Sequence, residues 1–444
     1  MSLIDPHPSA TTTAAPTTAG NYFVANYPPF SCWTEAQVSA VRERLSHAAE
    51  TPPPLGIYVH LPFCRQRCDF CYFKVYTDKN AREIARYLDC VAAELTRYAE
   101  QPYLAGRKPS FVYYGGGTPS YLSSDQIEKL FAAVRAAFPC EAVEEITFEC
   151  EPGTLTEKKV AVLRSLGVTR VSLGVEHFDP EILALNNRAH RAVEIDRAWG
   201  MLRAAGFPQV NLDLISGMVG ETDERWRRTI ERTLELHPDQ VTIYQMEIPY
   251  NTTIYQRMKA GEAEVAPVAD WETKRRWSEE AFQALGRAGY LRGSAYTAMA
   301  SGEARFLYRD ALWHGSDLVP IGVSSFGHLG GVHLQNEHRF EPYIERVEQG
   351  ELPIHRAYQL SADERLIREL VLQLKLGRVS AAAFQAKFGV DPRVRFAEAL
   401  RAHEEAGWLH VRGEWIELTP AGLARVETLL PAFFLPQHRD VRYA

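Results

Sequence analysis

A repeated alternation of short apolar segments and longer helical stretches constrains the fold more than any other feature of this sequence. The segments with the length and composition of strands are 57–61, 111–114, 145–150, 170–175, 209–215 and 240–247. Helical patterns occur near 80–100, 123–138, 156–166, 192–205, 222–236 and 270–288. Several of the strands are apolar without alternation, which is typical of a parallel sheet buried on both faces. The sequence therefore predicts an α/β fold with right-handed crossovers. Because the number of units falls short of the eight in a full barrel, we expect a partial, open (β/α)6 barrel.

The two ends of the chain differ from this central pattern. Residues 1–20 are rich in Ser, Thr, Ala and Pro, and we expect a disordered tail. Residues 21–54 form an aromatic strap and linker, which either packs against the main domain or also lines the substrate pocket. The barrel is predicted over 55–300, followed by a barrel-closing and substrate-facing segment over 301–358. Residues 359–444 alternate helices with a hairpin around 411–415, which predicts a winged-helix-like helical domain.

Charge and cysteine content narrow the class of protein. The formal net charge is −7, whereas proteins that depend on phosphate contacts carry a basic excess, so nucleic acid is not the expected partner. No apolar run reaches the about 18 residues that a membrane span needs. The seven cysteines are odd in number, and three of them fall within 64–71. This distribution argues against a secreted disulfide framework and predicts a cytoplasmic protein with a metal site.

Cys64, Cys68 and Cys71 form a C-x3-C-x2-C run directly after the first predicted strand. Thiolates are the ligands of iron–sulfur clusters, which normally take four of them. Three thiolates on a 4Fe–4S cluster leave one iron open for another ligand. The alternatives are a structural zinc site, which would require His60 as a fourth ligand, and three cysteines that are merely buried.

The segment YVHLPFC-x3-C-x-FC at 58–71 resembles the radical SAM (S-adenosylmethionine) superfamily, in the branch of oxygen-independent coproporphyrinogen III oxidases and haem chaperones. The resemblance extends from about residue 55 to 440. It implies a radical SAM barrel with a 4Fe–4S cluster and SAM as cofactors, and reductive cleavage of SAM to a 5′-deoxyadenosyl radical. It also implies a tetrapyrrole or a similarly bulky substrate, and an electron donor such as flavodoxin or ferredoxin.

The same resemblance implies a set of contacts to SAM. Residues 115–119 match the GGGTP motif of the family, which brings Gly116, Gly117 and Thr118 to the cofactor. Glu149 matches an acidic residue that meets SAM, and Phe70 is expected beside the adenine.

Three further positions match family residues that hold the ribose and the carboxylate of SAM. Arg188 corresponds to an arginine on the carboxylate and Asp213 to an aspartate on the ribose hydroxyls. Glu176 stands where the family has a glutamine on the ribose, and both side chains can accept from a hydroxyl. Tyr58 and His60 of the first strand are expected near the cluster or the substrate.

Two departures from the family pattern bear on the reaction. Phe73 occupies the position at which the coproporphyrinogen oxidases carry a further cysteine, which argues against decarboxylation of coproporphyrinogen. The stretch 308–313 retains only the tryptophan of a haem-chaperone motif. We therefore expect a radical SAM enzyme acting on a porphyrin, a haem or a similar molecule. A haem chaperone and a radical SAM methyltransferase of the same branch are the alternatives. His314 and His328, in a His- and Gly-rich segment over 313–336, are candidate iron ligands, and the other interpretation of this segment is a terminal strand with turns.

Overall fold

A computed structural model describes residues 23–260, 268–302, 304–439 and 441. The predicted disordered tail over 1–20 lies outside the described residues. The division of the chain into domains stays a prediction, whereas the helices and strands are those of the structure.

Parallel strands form the centre of the molecule. They are β1 Leu55–Leu61, β2 Pro109–Gly116, β3 Glu145–Cys150, β4 Arg170–Glu176, β5 Gln209–Ser216 and β6 Gln240–Gln245. Each pairs in parallel with the next one along the chain. These are the strands that the apolar segments predicted, extended by a few residues or, for β6, shortened. The carboxyl ends of all of them therefore meet at one edge of the sheet, where a ligand site is expected.

Helices connect these strands and cover the sheet. They are α1 Val38–Leu45, α2 Ala81–Ala99, α3 Ser124–Ala137, α4 Glu157–Ser165, α5 Pro180–Leu185, α6 Ala192–Ala205, α7 Asp223–Leu236, α8 Thr253–Lys259 and α9 Trp271–Arg287. Capping boxes begin α2 and α3, with Asn80 paired to Glu83 and Ser123 paired to Gln126. The helices predicted between the strands are confirmed, whereas the short helices α5 and α8 were not predicted.

The sheet continues beyond this parallel unit on both sides. The added strands are β7 Leu291–Arg292, β8 Thr297–Met299, β9 Asp317–Ile321, β10 Phe326–Leu329, β11 Val332–Asn336 and β12 Ile354–Gln359, with helices α10 Leu307–Trp313 and α11 Phe340–Glu348. Strand β9 pairs in parallel with β1, and β10, β11 and β12 follow it antiparallel. The strand interpretation of 313–336 is therefore what the structure has.

The histidines of that segment lie away from the cluster loop. His328 and His333 form a buried pair with their Nδ1 atoms 3.0 Å apart. Trp33 stacks on His333 at 4.8 Å. His314 is exposed at the end of α10. His328 is thus paired with another imidazole and His314 faces solvent, and their suggested role as iron ligands stays a prediction.

Helix α10 packs across the amino ends of the barrel strands. The Glu145 carboxylate, at the start of β3, accepts hydrogen bonds from the amides of Leu307 (2.7 Å) and Tyr308 (3.2 Å). The buried Arg170 at the start of β4 lies over the Phe306 ring at 3.9 Å. This helix therefore forms a floor beneath the lumen of the barrel, with Tyr308 directed upward into it.

The carboxyl-terminal part has its own apolar core. Its elements are α12 Ala362–Leu374, β13 Arg378–Ser380, α13 Ala381–Phe388, α14 Pro392–Arg395, α15 Ala397–Glu405, β14 Leu409–Arg412, β15 Trp415–Leu418, α16 Pro420–Leu423 and α17 Val426–Leu429. Strands β14 and β15 form the hairpin predicted around 411–415, and β13 joins it as a third strand. Helices followed by such a wing agree with the winged-helix-like prediction.

The aromatic strap joins this second core to the barrel. Val24 and Tyr27 are buried in the carboxyl-terminal core, and the Tyr27 hydroxyl accepts from the Leu435 amide at 3.0 Å. The Phe23 amide donates to Glu247, just after β6. The strap thus contacts both units.

No helix among the described residues is both long and apolar enough to cross a membrane.

Candidate functional site

The cysteine loop leaves β1 at the carboxyl edge of the sheet. It is closed at its base by hydrogen bonds from the Cys64 amide to the Tyr76 carbonyl (3.1 Å) and from the Tyr76 amide to the Pro62 carbonyl (2.7 Å). A turn within the loop brings the Cys71 amide to the Cys68 carbonyl at 3.1 Å. The three cysteine side chains are half-buried and unpaired by disulfides. The loop therefore presents three thiols from a fixed backbone.

The spread of the three sulfurs distinguishes between kinds of metal centre. Within the part of the chain that the structure describes, one group of three His, Cys, Asp or Glu residues has ligand atoms that all lie within 4.8 Å of one another, and it does not include these cysteines. The three sulfurs are therefore not all within 4.8 Å of one another. A single zinc ion with Zn–S bonds of about 2.3 Å would hold them about 3.8 Å apart. A cubane cluster takes each thiolate on a different iron and suits a wider spacing. Three thiols on one loop that are not gathered around a single point therefore suit a 4Fe–4S cluster.

Two neighbouring side chains donate hydrogen bonds to these sulfurs. The Thr118 hydroxyl lies 3.3 Å from Cys64 Sγ, and Arg188 Nη1 lies 3.2 Å from Cys68 Sγ. Burial raises the pKa of Cys64 to about 12 and that of Cys71 to about 11. Metal binding at these thiols would therefore release protons, and the two donors would then stabilise thiolate charge.

A turn after α5 holds the cysteine loop from the other side. Asn187 adopts a left-handed backbone with φ of 55°, and its side-chain amide donates to the Arg67 carbonyl at 2.9 Å. Arg65 Nη2 contacts both carboxylate oxygens of Glu151 at 3.0 and 3.1 Å. His190 Nδ1 lies 3.3 Å from the same carboxylate. Sequence reasoning missed Arg65 and His190, and it considered Glu151 only as an alternative to Glu149, two residues earlier.

The glycine loop after β2 lies directly against the cysteine loop. Gly116 has φ of 116°, and a Cβ there would lie 2.7 Å from the His60 ring. A Cβ on Gly117 would lie 3.0 Å from Cys64 Sγ. Glycine is needed at both positions because a side chain would collide with β1 at Gly116 and with the start of the cysteine loop at Gly117.

Three carboxyl groups face the lumen below these loops. Glu149 accepts from the Tyr113 hydroxyl at 2.6 Å and from the Gly116 amide at 3.1 Å. Asp213, on β5, accepts from Ser172 of β4 at 2.7 Å. Burial raises the pKa of Glu149 to about 7 and also raises that of Asp213. Burial thus favours the neutral form of both carboxyl groups, and a positively charged ligand beside them would favour the charged form.

Glu176 is the third carboxyl group, and its backbone is unusual. It has φ of 64°, at a bulge in the pairing of β4 with β5. Its Oε1 lies 3.4 Å from Arg188 Nη2, which also donates to the Gly174 carbonyl at 2.7 Å. Burial raises the pKa of Glu176 to about 7, while Arg188 acts in the opposite direction. A left-handed non-glycine residue costs about 1–3 kcal/mol and is found mainly at functional sites.

Aromatic side chains line the lumen beneath the carboxyl groups. The Tyr113 ring lies 5.8 Å from Tyr58 and 4.3 Å from Tyr308, and Phe306 lies 5.9 Å from Tyr308. The Tyr58 hydroxyl is 3.1 Å from His60 Nδ1. Sequence reasoning missed Tyr113 and Tyr308. The alternation of side chains along β2 could have indicated that Tyr113 points into the lumen, but nothing in the sequence indicated that Tyr308 lies beneath it.

The residues predicted for SAM thus lie at four places. Gly116, Gly117, Thr118 and Arg188 lie at the cysteine loop, and Glu149, Glu176 and Asp213 lie at the rim and upper wall of the lumen. Tyr58 lies deeper. Phe70 packs to one side, against an apolar cluster formed by Ile182, Met218, Val219, Met246 and Ile254.

Buried donors without partners point to a ligand at this place. Within the described part of the chain, His60 Nε2 and Arg188 Nε are buried and make no hydrogen bond. Buried polar atoms are nearly always paired in folded proteins, so these two atoms are available to a polar ligand beside the cysteine loop. Together with the spacing of the sulfurs, this indicates that the site fits a cluster and a polar cofactor beside it.

Comparisons with known proteins agree with this geometry. Residues 58–233 match the model of the radical SAM superfamily, and residues 360–425 match the HemN C-terminal domain. The chain is 27% identical over 404 residues to the oxygen-independent coproporphyrinogen III oxidase of Synechocystis sp., covering 86% of this chain and 84% of that protein. It is 31% identical over 384 residues to the Heme chaperone HemW of Mycobacterium tuberculosis, covering 85% and 95%.

A solved structure extends the likeness to the whole fold. The coproporphyrinogen III oxidase HemN from Escherichia coli, described as a radical SAM enzyme, matches with a TM-score of 0.81 at 25% identity, covering 93% of this chain and 96% of that one. The superfamily uses a 4Fe–4S cluster and SAM, which are the groups that the donor set fits. The chain belongs to the radical SAM superfamily, in the family that contains the oxygen-independent coproporphyrinogen III oxidases and the Heme chaperone HemW.

Proposed function

We propose that this protein is a radical SAM enzyme that acts on a tetrapyrrole. The observation that carries the proposal is the spread of three thiols on one loop, directly above a lumen lined by carboxyl groups and tyrosines. Cys64, Cys68 and Cys71 would hold the 4Fe–4S cluster and would leave one coordination position for SAM. When both are bound, the cluster and SAM supply reductive cleavage of the bond between the SAM sulfur and C5′.

Residues around the cysteine loop orient these groups. Thr118 and Arg188 donate to thiolate sulfurs at 3.3 and 3.2 Å and so stabilise their charge. Glu149 fixes the glycine loop through the Gly116 amide. That loop can meet the cofactor with backbone groups because Gly116 and Gly117 carry no side chains.

The carboxyl groups of the lumen suit the polar part of SAM. Asp213 and Glu176 would accept hydrogen bonds from the ribose hydroxyls of SAM, and Arg188 would pair with its carboxylate. Negative charge on Glu149 and Glu176 would offset the positive charge of the sulfonium. Phe70, backed by its apolar cluster, provides a hydrophobic wall for the adenine.

The substrate class rests on the relatives and on the shape and chemistry of the lumen. Tyr58, Tyr113 and Tyr308 form an aromatic wall, and Tyr72 is largely exposed next to the cluster. Arg275 and Arg425 line, together with Tyr244, a small cavity of about 40 Å³. Aromatic faces pack against a planar macrocycle, and guanidinium groups bind its carboxylates.

A haem chaperone is the second candidate. The Heme chaperone HemW of Mycobacterium tuberculosis shares 31% identity over 95% of its length with this chain. Phe73 is 47% exposed beside the cysteine loop, at the position where the oxidases were expected to carry another cysteine. A hydrophobic group there favours binding of a macrocycle.

In the enzymatic case the electron comes from a soluble one-electron donor such as flavodoxin or ferredoxin.

The test is formation of 5′-deoxyadenosine by anaerobically reconstituted, reduced protein, with coproporphyrinogen III or haem present or omitted. An enzyme should form it in a tetrapyrrole-dependent manner together with a modified tetrapyrrole. Cys68→Ala should abolish this reaction, whereas Cys140→Ala, at a half-buried thiol outside the loop, should not change it. Tight haem binding without a product would establish the chaperone instead. If neither turnover nor haem binding is observed, both candidates are wrong.

A further inference from the structure

A second group of metal-binding side chains lies at the end of β11. Glu337 and His338 follow this strand directly, and His355 is the second residue of β12. The two strands pair antiparallel, and the Glu337 amide donates to the Pro353 carbonyl at 2.7 Å. This pairing brings one carboxylate and two imidazoles together, with one ligand atom from each within 4.8 Å of the others.

The distances within this group are close to those of ligands on one ion. His338 Nδ1 lies 3.2 Å from Glu337 Oε1, and His355 Nδ1 lies 3.8 Å from Glu337 Oε2. Ligand atoms bound to zinc at about 2.0–2.1 Å in tetrahedral geometry lie about 3.4 Å apart. Each imidazole therefore lies close to the spacing of ligands on one ion, through a different oxygen of the Glu337 carboxylate.

The Glu337 carboxylate is held in position by its surroundings. Its side chain is only 6% exposed, and Oε1 accepts from the amides of His338 (3.0 Å) and Arg339 (3.2 Å). The Arg339 side chain also approaches Oε1, at 3.4 Å, but is itself 63% exposed. Oε2 faces His355 instead, so the carboxylate can meet a cation between the two imidazoles while its amide donors hold it in place. Hydrogen bonds that orient a ligand in this way raise metal affinity.

We propose that Glu337, His338 and His355 bind a divalent transition-metal ion, with Zn²⁺ as the preferred ion, at a site separate from the iron–sulfur cluster. Imidazole and carboxylate ligands suit zinc, and three protein ligands leave a coordination position for water. The side chains of His338 and His355 are 49% and 34% exposed, so water and metal can reach the site.

The ion would tie the start of α11 to β12. Phe340, two residues after His338, packs on Tyr76 at 5.2 Å and on Tyr87 at 5.6 Å. Tyr76 closes the base of the cysteine loop. The proposed ion therefore stabilises the part of the barrel against which that loop rests, without contacting the cluster.

The test is zinc uptake by the full-length, cluster-loaded protein, measured by equilibrium dialysis followed by determination of zinc and iron in the same sample. Wild-type protein should bind about one equivalent at about 10 μM Zn²⁺, and His338→Ala and His355→Ala should each weaken binding at least about tenfold. His314→Ala, which removes an exposed imidazole elsewhere, should bind as the wild type does. Unchanged iron in every variant shows that the cluster and the fold are intact.

A second readout is the thermal unfolding midpoint with and without zinc. Zinc should raise it for the wild type and for His314→Ala but not for the two site variants, because only a ligand that prefers the folded state stabilises it. The proposal is overturned if uptake by the site variants equals that of the wild type, or if the wild type binds no zinc at this concentration. Neither outcome bears on the proposed radical SAM function, which is read from iron content and 5′-deoxyadenosine.

Discussion

Replacing Gly117 by alanine tests how tightly the glycine loop fits the cysteine loop. An added Cβ would lie 2.9 Å from the Pro62 carbonyl carbon, 3.0 Å from the Leu61 carbonyl oxygen and 3.0 Å from Cys64 Sγ. Carbon atoms in contact prefer about 3.5–4.0 Å, so the two loops must separate by about 0.6 Å or more. The backbone of Gly117 is not left-handed, so the cost is steric.

The cost of this clash can be bounded. Hydrogen bonds from the Gly117 amide to Leu61 (2.9 Å) and from the Thr118 amide to Phe63 (2.8 Å) resist the separation. Overpacking of this kind costs about 1–3 kcal/mol. A central value of about 2 kcal/mol corresponds to about 30-fold weaker retention of the cluster, since the loop must return to its native position to hold it.

The assay is loss of iron from the reconstituted protein to an excess of chelator, together with the thermal unfolding midpoint of the protein before reconstitution. Gly117→Ala should lose its cluster more readily and unfold at a lower temperature. Gly200→Ala is the matched control, because a Cβ at Gly200, inside α6, meets nothing within 4 Å, and alanine should stabilise that helix by about 0.5–1 kcal/mol. If Gly117→Ala held its cluster and its stability as the wild type does, the steric reasoning would be refuted.

Buried groups lead to three further predictions. The pKa of Glu176 is raised to about 7, so the affinity of the wild type for SAM should increase from pH 6 to 8 as negative charge forms near the sulfonium. In equilibrium binding, Glu176→Gln should reduce this dependence on pH, and an unchanged dependence would contradict the role assigned to Glu176. Burial raises the pKa of Glu94 from 4.5 to about 7, so its contribution to stability is present below pH 4.5 and is lost as pH rises through 7, by up to about 3 kcal/mol. Urea unfolding at pH 5 and 7.5 should show a smaller decrease for Glu94→Gln than for the wild type, and equal decreases would exclude Glu94 as the cause. Tyr27→Phe removes the hydroxyl contacts with the Leu435 amide and His438. It should lower the free energy of unfolding by about 1–3 kcal/mol, and an unchanged free energy of unfolding would mean that these contacts do not hold the strap.

The sequence by itself determined the central architecture and the cysteine loop. Strands and helices of the barrel depend on local patterns, namely unbroken apolar runs, amphipathic stretches and capping residues such as Asn80 and Ser123. Because parallel strands end at a common edge, the order of motifs along the chain was enough to predict that Cys64, Gly117 and Glu149 would converge. Their roles toward SAM stay predictions until the cofactor is bound and measured.

Only the tertiary structure decided the features that join distant parts of the chain. The pairing of β9 with β1, the floor formed by α10, and the approach of His355 to Glu337 all depend on contacts between segments that are far apart in sequence or separated by a helix. The left-handed backbone of Glu176 likewise follows from a bulge between two strands. Local sequence patterns do not specify such contacts. These contacts form only when the free energy of burying the whole core selects one arrangement of the strands.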